Sequence, residues 1–138
     1  MQKMVEHGVK ASKVLFFVLL SIFFLCVVNT KSVKLQSSEF IYIASDGSIY
    51  SSTNATVPIQ RVGNVYTFNG SIIDYSIVVQ RDNIVVDGAG YTLQGQGEIG
   101  IDVSYRSNVT IRNVQICGIF FYGIYLWNSL SNSITGNP

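Results

Sequence analysis

Asp82-Asn83-Ile84-Val85-Val86, Ser107-Asn108-Val109-Thr110-Ile111 and Ser131-Asn132-Ser133-Ile134-Thr135 decide how this chain folds. Each opens on a polar residue and an asparagine and runs on into a strand-like pattern. The asparagines lie 25 and 24 residues apart. A second ladder runs beside the first: Ile77 and Val79, Ile101 and Val103, Ile124 and Leu126, at offsets of 24 and 23. Two ladders with nearly one period imply short strands wound into a coil, each turn stacked on the last, which is a β-solenoid.

Working outward, residues 76–80, 84–87, 91–93, 100–103, 109–112, 114–116 and 123–126 read as short strands. Turn signals separate them at Arg81-Asp82-Asn83, Gly88-Ala89-Gly90, Gly95-Gln96-Gly97 and Arg106-Ser107-Asn108. Tyr91 and Leu93 match Val114 and Ile116 at an offset of 23. Each rung therefore supplies about three strands whose apolar side chains alternate inward. No six-residue period of the left-handed kind occurs, so the right-handed form is expected. The expected class is all-β: a right-handed parallel β-helix with an irregular N-terminal cap, preceded by a hydrophobic leader helix.

The cap is assigned to residues 40–75, with a first partial rung. Strand-like stretches fall at 40–43 and 65–68, with turns at Asp46-Gly47-Ser48 and Asn69-Gly70, but no 24-residue register is visible. Rungs occupy 76–138 and stop at Asn137-Pro138 without a cap. Ile124, Leu126 and Ile134 are thus expected to face water at an open end. Solenoids need polar caps, so the expectation is an N-terminal piece of a longer β-helix, or a chain that self-associates through that end.

Residues 1–30 are of another kind. Lys3, Lys10 and Lys13 precede an apolar run over 14–28 broken only by Ser21. Its 15 residues fall short of the roughly 17–25 of a membrane-spanning helix, which suits a signal peptide cut near Thr30. The alternative is an uncleaved anchor holding residues 14–28 in a membrane. Either places the protein outside the cell or at its surface. Residues 31–39 form a polar connector. After Thr30 the chain carries six basic and seven acidic residues. That near-neutral balance gives no footprint for nucleic acid. Cys117 is the only cysteine beyond the leader, so no internal disulfide is expected, and the residue reads as a small buried hydrophobe.

Asp82-Asn83-Ile84-Val85-Val86-Asp87-Gly88-Ala89-Gly90-Tyr91-Thr92-Leu93 resembles an N-terminal rung of right-handed parallel β-helix proteins of the pectate-lyase-like type. Gly123-Ile124-Tyr125-Leu126 and Ser131-Asn132-Ser133-Ile134-Thr135-Gly136-Asn137 resemble repeats of the NosD-like branch. The resemblance implies an exported surface protein. It is nearly silent about activity, because the same superfold carries lyases, hydrolases, epimerases and non-catalytic binders. It also raises copper handling, for which the sequence lacks ligands: His7, Met1 and Met4 all lie in the leader. No metal and no cofactor is expected, and calcium would have only scattered carboxylates such as Glu98 and Asp102.

Asn83, Asn108 and Asn132 read as a structural ladder at rung corners, where asparagine tolerates the left-handed conformation and stacks on its copy. Ile134 aligns with Thr110 at the ladder's spacing, so the third copy departs from phase. Asp87 and Arg112, 25 apart, read as an ion pair between rungs, or in a catalytic reading as an acid and a carboxylate clamp. Asp102 alternates with Ile101 and Val103 and should face outward with Ser104, while Tyr125 and Trp127 hold the matching places one rung on. Carboxylate, hydroxyl and two aromatic faces suit a polysaccharide. The expected function is an exported, non-catalytic module that contacts carbohydrate or is purely structural. Its rival is a polysaccharide lyase or hydrolase fragment using Asp102, or Asp87 with Arg112. Asn54 and Asn69 are candidate glycosylation sites; the sequon at Asn108 conflicts with its ladder role.

Overall fold

The computed structural model describes residues 39–138. The leader 1–30 with its apolar run 14–28, and the connector up to residue 38, lie outside the described residues.

The described chain is all-β and forms a β-solenoid of about three turns. Its strands are β1 (Glu39–Ile43), β2 (Ile49–Ser51), β3 (Ile59–Val62), β4 (Val65–Phe68), β5 (Ile72–Ile73), β6 (Tyr75–Val79), β7 (Ile84–Asp87), β8 (Thr92–Asp102), β9 (Val109–Arg112), β10 (Gln115–Tyr125) and β11 (Ser133–Thr135). One sheet runs β10-β8-β6-β1-β2 with β5 also paired to β8, and the other runs β11-β9-β7-β4-β3. Parallel pairs carry the chain from turn to turn. Ile77 lies beside Ile101 and Ile101 beside Ile124. Ile84 lies beside Val109 and Val86 beside Ile111.

These apolar positions alternate with polar ones, so both sheets turn one face inward. Ile41, Ile43, Ile77, Val79, Ile101 and Val103 from the first sheet are buried in one cluster with Tyr66, Phe68, Ile84, Val86, Val109 and Ile111 from the second. β-Branched side chains dominate because they pack well on a pleated, stacked surface. Each such side chain contributes about 1.5–3 kcal/mol when fully buried.

Three expectations are corrected. The Gly95-Gln96-Gly97 signal is not a turn: the strands expected at 91–93 and 100–103 fuse into β8, and those at 114–116 and 123–126 fuse into β10. Gly95 lies beside Gly118 and Gly97 beside Phe120, so pairing with the next turn holds the backbone extended where the local signal favoured a break. Cys117 is exposed rather than buried, because its neighbours in the alternation, Ile116 and the Leu93 beside it, take the inward side. The third change is at the asparagine ladder. Ser133, Ile134 and Thr135 pair with Thr110, Ile111 and Arg112, an offset of 23, so Ser131 and not Asn132 stands at the place of Asn108. Ser131 also takes the left-handed backbone there, at φ 54°.

Residues 39–75 hold β1 to β5. Here β2 runs antiparallel to β1 and β3 antiparallel to β4, ending the parallel stack on both sheets. Offsets of 36 from β1 to β6 and 20 from β4 to β7 explain why no 24-residue register is legible there. Gly47, at φ +89°, makes the packing possible. Its carbonyl accepts from the Arg61 guanidinium at 2.9 Å and from the buried Tyr66 hydroxyl at 3.1 Å. A Cβ at Gly47 would drive into that guanidinium.

Candidate functional site

The outward face of the β6–β8–β10 sheet carries the candidate chemistry. Inward Ile77, Ile101 and Ile124 leave Val78, Asp102 and Tyr125 outward in one row, and Tyr42 of β1 extends it beside Val78. Adjacent strands lie about 4.8 Å apart. The step continues past β8: the Val103 N–H donates to the Tyr125 carbonyl and the Tyr105 N–H to the Trp127 carbonyl, each at 2.9 Å. Ser104 is therefore carried beside Trp127, as Asp102 is beside Tyr125. All four sequence-predicted residues meet on two adjacent turns.

Asp102 Oδ1 accepts from the Ser104 N–H at 2.8 Å and the Ser104 hydroxyl at 2.5 Å. This closes the turn after β8 and fixes the carboxylate's orientation, so Asp102 and Ser104 act as one acceptor-rich unit. Trp127 is 58 % exposed. The half-buried Tyr125 ring lies 5.1 Å from that of Tyr122. The surface can thus offer aromatic faces beside an oriented carboxylate.

Next to this patch lies a cleft of about 280 Å³ lined by Phe40, Ser76, Ile77, Val78, Glu98, Ile99 and Asp102. A register change makes it. Ile72 pairs with Leu93 at an offset of 21, whereas Ile77 pairs with Ile101 at 24. β8 therefore carries three more residues here than the chain below it, and the surplus includes Glu98 and Ile99. Gly100 occupies the row of Ser76, and with no side chain it leaves a dip; a Cβ there would come 2.5 Å from the Gly123 carbonyl. The cleft's carboxylates, Glu98 and Asp102, come from one strand, four residues apart. Sequence reading treated them as scattered and missed Ser76 and Phe40 altogether. Only the register change unites them, and it leaves no mark in the local pattern.

Asp87 and Arg112 lie on the other sheet, in β7 and β9, with Arg112 Nε 2.8 Å from Asp87 Oδ2. Asp87 Oδ1 accepts from the Ala89 N–H and the Asn113 amide at 3.0 and 3.1 Å. Donors thus occupy both oxygens, in an arrangement suited to tying turns together. Burial pushes the Asp87 carboxyl up, but the bonds from Ala89, Asn113 and Arg112 outweigh it and hold the group below the usual carboxylate range. A second inter-turn pair, Arg106 with Asp82 at 3.8 Å, had no distinguishing sequence signal.

At the corners, Asn83 and Asn108 both take the left-handed backbone, and the Asn108 amide donates to Asn83 Oδ1 at 2.9 Å. Asn132 instead reaches back one turn. Its Oδ1 accepts from the Val109 N–H at 2.8 Å and its amide donates to the Arg106 carbonyl at 3.2 Å. Asn137 repeats this with Val114 and Ile111. Asn54 and Asn69 are exposed. Among the described residues no three of His, Cys, Asp and Glu cluster as a metal site would require, and no helix is long and apolar enough to cross a membrane.

Compared with protein-family models, curated proteins and solved structures, the chain finds no match.

The Asp87 knot gives a pH-dependent expectation. A carboxyl held below its unfolded value contributes stability that is full above the ordinary value of 3.8 and is lost as pH falls through the folded value. Asp87→Asn should lower the urea midpoint at pH 6 by an amount equivalent to up to about 1 kcal/mol, since half of Arg112 is solvated. The gap to the wild type should close below pH 3.8. A gap unchanged down to pH 2 would contradict this role for the carboxylate.

Proposed function

We propose that this protein is an exported, cell-surface right-handed parallel β-helix of the pectate-lyase-like superfold, in its NosD-like branch, acting as a non-catalytic module that contacts carbohydrate. The observation that carries the reading is the meeting of Asp102 and Ser104 with Tyr125 and Trp127 on neighbouring turns. A sugar ring has an apolar C–H face and a rim of hydroxyls. The aromatic faces take the first, and the oriented carboxylate and hydroxyl take the second. The flat sheet repeats its spacing from turn to turn, which suits an extended polymer.

The lyase or hydrolase reading stands second, favoured by the presence of both Glu98 and Asp102 in one cleft. Glycoside hydrolysis uses such a carboxylate pair as acid and as base or nucleophile. The export reading rests on the basic residues and apolar run of the leader, with residues 14–28 as the membrane contact if the leader is retained. A further partner is a second copy. β10 and β11 are the last strands of their sheets among the described residues, and Leu126, Leu130 and Ile134 are 41 %, 71 % and 44 % exposed beside them. Open strand edges with apolar flanks pair with other chains.

On a panel of acidic and neutral polysaccharides the protein should bind without releasing reducing ends or unsaturated products. Trp127→Ala should weaken binding about tenfold, equivalent to 1.4 kcal/mol. Turnover abolished by Asp102→Asn would replace the binding reading with the enzymatic one, and no binding to any glycan would sink both. A reporter fused after Pro138 should be active only in the exported compartment, and activity confined to the cytosol would refute export. In light scattering, protein beginning at Ser32 should be oligomeric, with Leu130→Glu and Ile134→Lys shifting it toward monomer. A monodisperse wild-type monomer would refute self-association.

A further inference from the structure

The cleft beside the aromatic patch gathers like charge on one side of the sheet. Glu98 and Asp102 bring two carboxylates to a space of about 280 Å³, and no basic side chain is among its lining residues. Phe40, Val78 and Ile99 give it apolar walls. On its floor lies Ser76, only 4 % exposed. The alternation that sends Ile77 and Val79 into the core turns Ser76 outward into this space. Its hydroxyl opens on the cleft, where it can bond to a ligand. Among the described residues, the cleft thus offers one hydroxyl and two carboxylates with no cation lining it.

We infer that this cleft binds one amino-sugar residue, its ammonium between Glu98 and Asp102, a hydroxyl on Ser76 and its C–H face against Phe40 and Ile99. This rests on the carbohydrate reading above and specifies the sugar. The size fits a single ring, since clefts for drug-sized ligands run to roughly 300–1,000 Å³. Charge selects the amine: an ammonium donates to both carboxylates, and such charge-assisted bonds are about twice as strong as neutral ones. A calcium ion is a poorer occupant, because it takes roughly six to eight oxygen ligands and these walls are largely apolar. Asp102 belongs to both the cleft and the row of Tyr125. An ammonium-bearing ring in the cleft therefore continues into a neighbouring sugar on the aromatic patch.

The test is calorimetric titration of the full chain at pH 6 with a β-1,4-linked glucosamine oligomer, its fully N-acetylated counterpart and a glucose oligomer of equal length. The glucosamine oligomer should bind at least tenfold more tightly than the other two, with a preference that falls as salt rises. Glu98→Gln, at an exposed position, should remove the preference and leave the weaker common affinity. Ser76→Ala should reduce it, and Trp127→Ala should weaken all three ligands alike. Equal binding of the three, still sensitive to Trp127→Ala, would overturn the amino-sugar cleft and leave the carbohydrate reading standing. No binding of any would overturn both. Calcium chloride alone binding at this site, with the signal lost in Glu98→Gln, would assign the cleft to a cation and overturn the inference.

Discussion

Parallel pairing between turns, at offsets of 23 to 25 residues in the regular part of the coil, is the constraint on which the rest of this structure depends. A rung of this solenoid has no core of its own; its isoleucines and valines are buried only because the next rung puts the same residue types beside them. Ile77, Ile101 and Ile124 illustrate this across three turns. A slip of one residue would send that entire set to the solvent face and bring Asp102 or Val78 inward. Turn-to-turn hydrogen bonding and apolar stacking thus enforce the same register, and neither holds without the other.

Corners are where a coil of strands is most exposed to failure, because the backbone must bend from one sheet to the other while its N–H and C=O groups stay bonded. Left-handed residues recur there at the same spacing: Tyr105 and Asn128, Asn108 and Ser131, Asn113 and Gly136. Asparagine suits these places because its short amide tolerates positive φ and bonds locally. Asn132 and Asn137 use their amides differently, standing in for a peptide group against the turn below. In both cases an N–H and a carbonyl flanking a left-handed corner find partners that no strand supplies. Asp87 does comparable work with charge, gathering Arg112, Asn113 and the Ala89 N–H at one corner.

The cleft arises where the register is broken. Between Ile72 and Ile77 on one turn and Leu93 and Ile101 on the next, three surplus residues must go somewhere. Gly95, Gly97 and Gly100 let them remain in a continuous strand with β10. The departure covers Ser76 and brings Glu98 toward Asp102's side of the sheet. A regular solenoid would have left this face flat, with only the aromatic patch on it.

The solenoid is legible in the chain, because inward apolar pairs and corner asparagines must recur at the period of the coil and so write that period into it. Strands β7 and β9 were readable to the residue, and β4 beside them, since alternation is strict and turn residues bound each one. Asp102, Ser104, Tyr125 and Trp127 were legible as a group for the same reason: a shared period places them on one face. Tertiary structure alone decided the rest. The pairing of Gly95 with Gly118 overrode a local turn signal, the 23-residue step of β11 put Ser131 where Asn132 was expected, and antiparallel β2 and β3 closed a cap whose offsets match no repeat. The union of Ser76, Glu98 and Asp102 in one cleft belongs with these, for it depends on a difference in length between two turns. Periodicity records what stacked turns have in common, and such differences fall outside it.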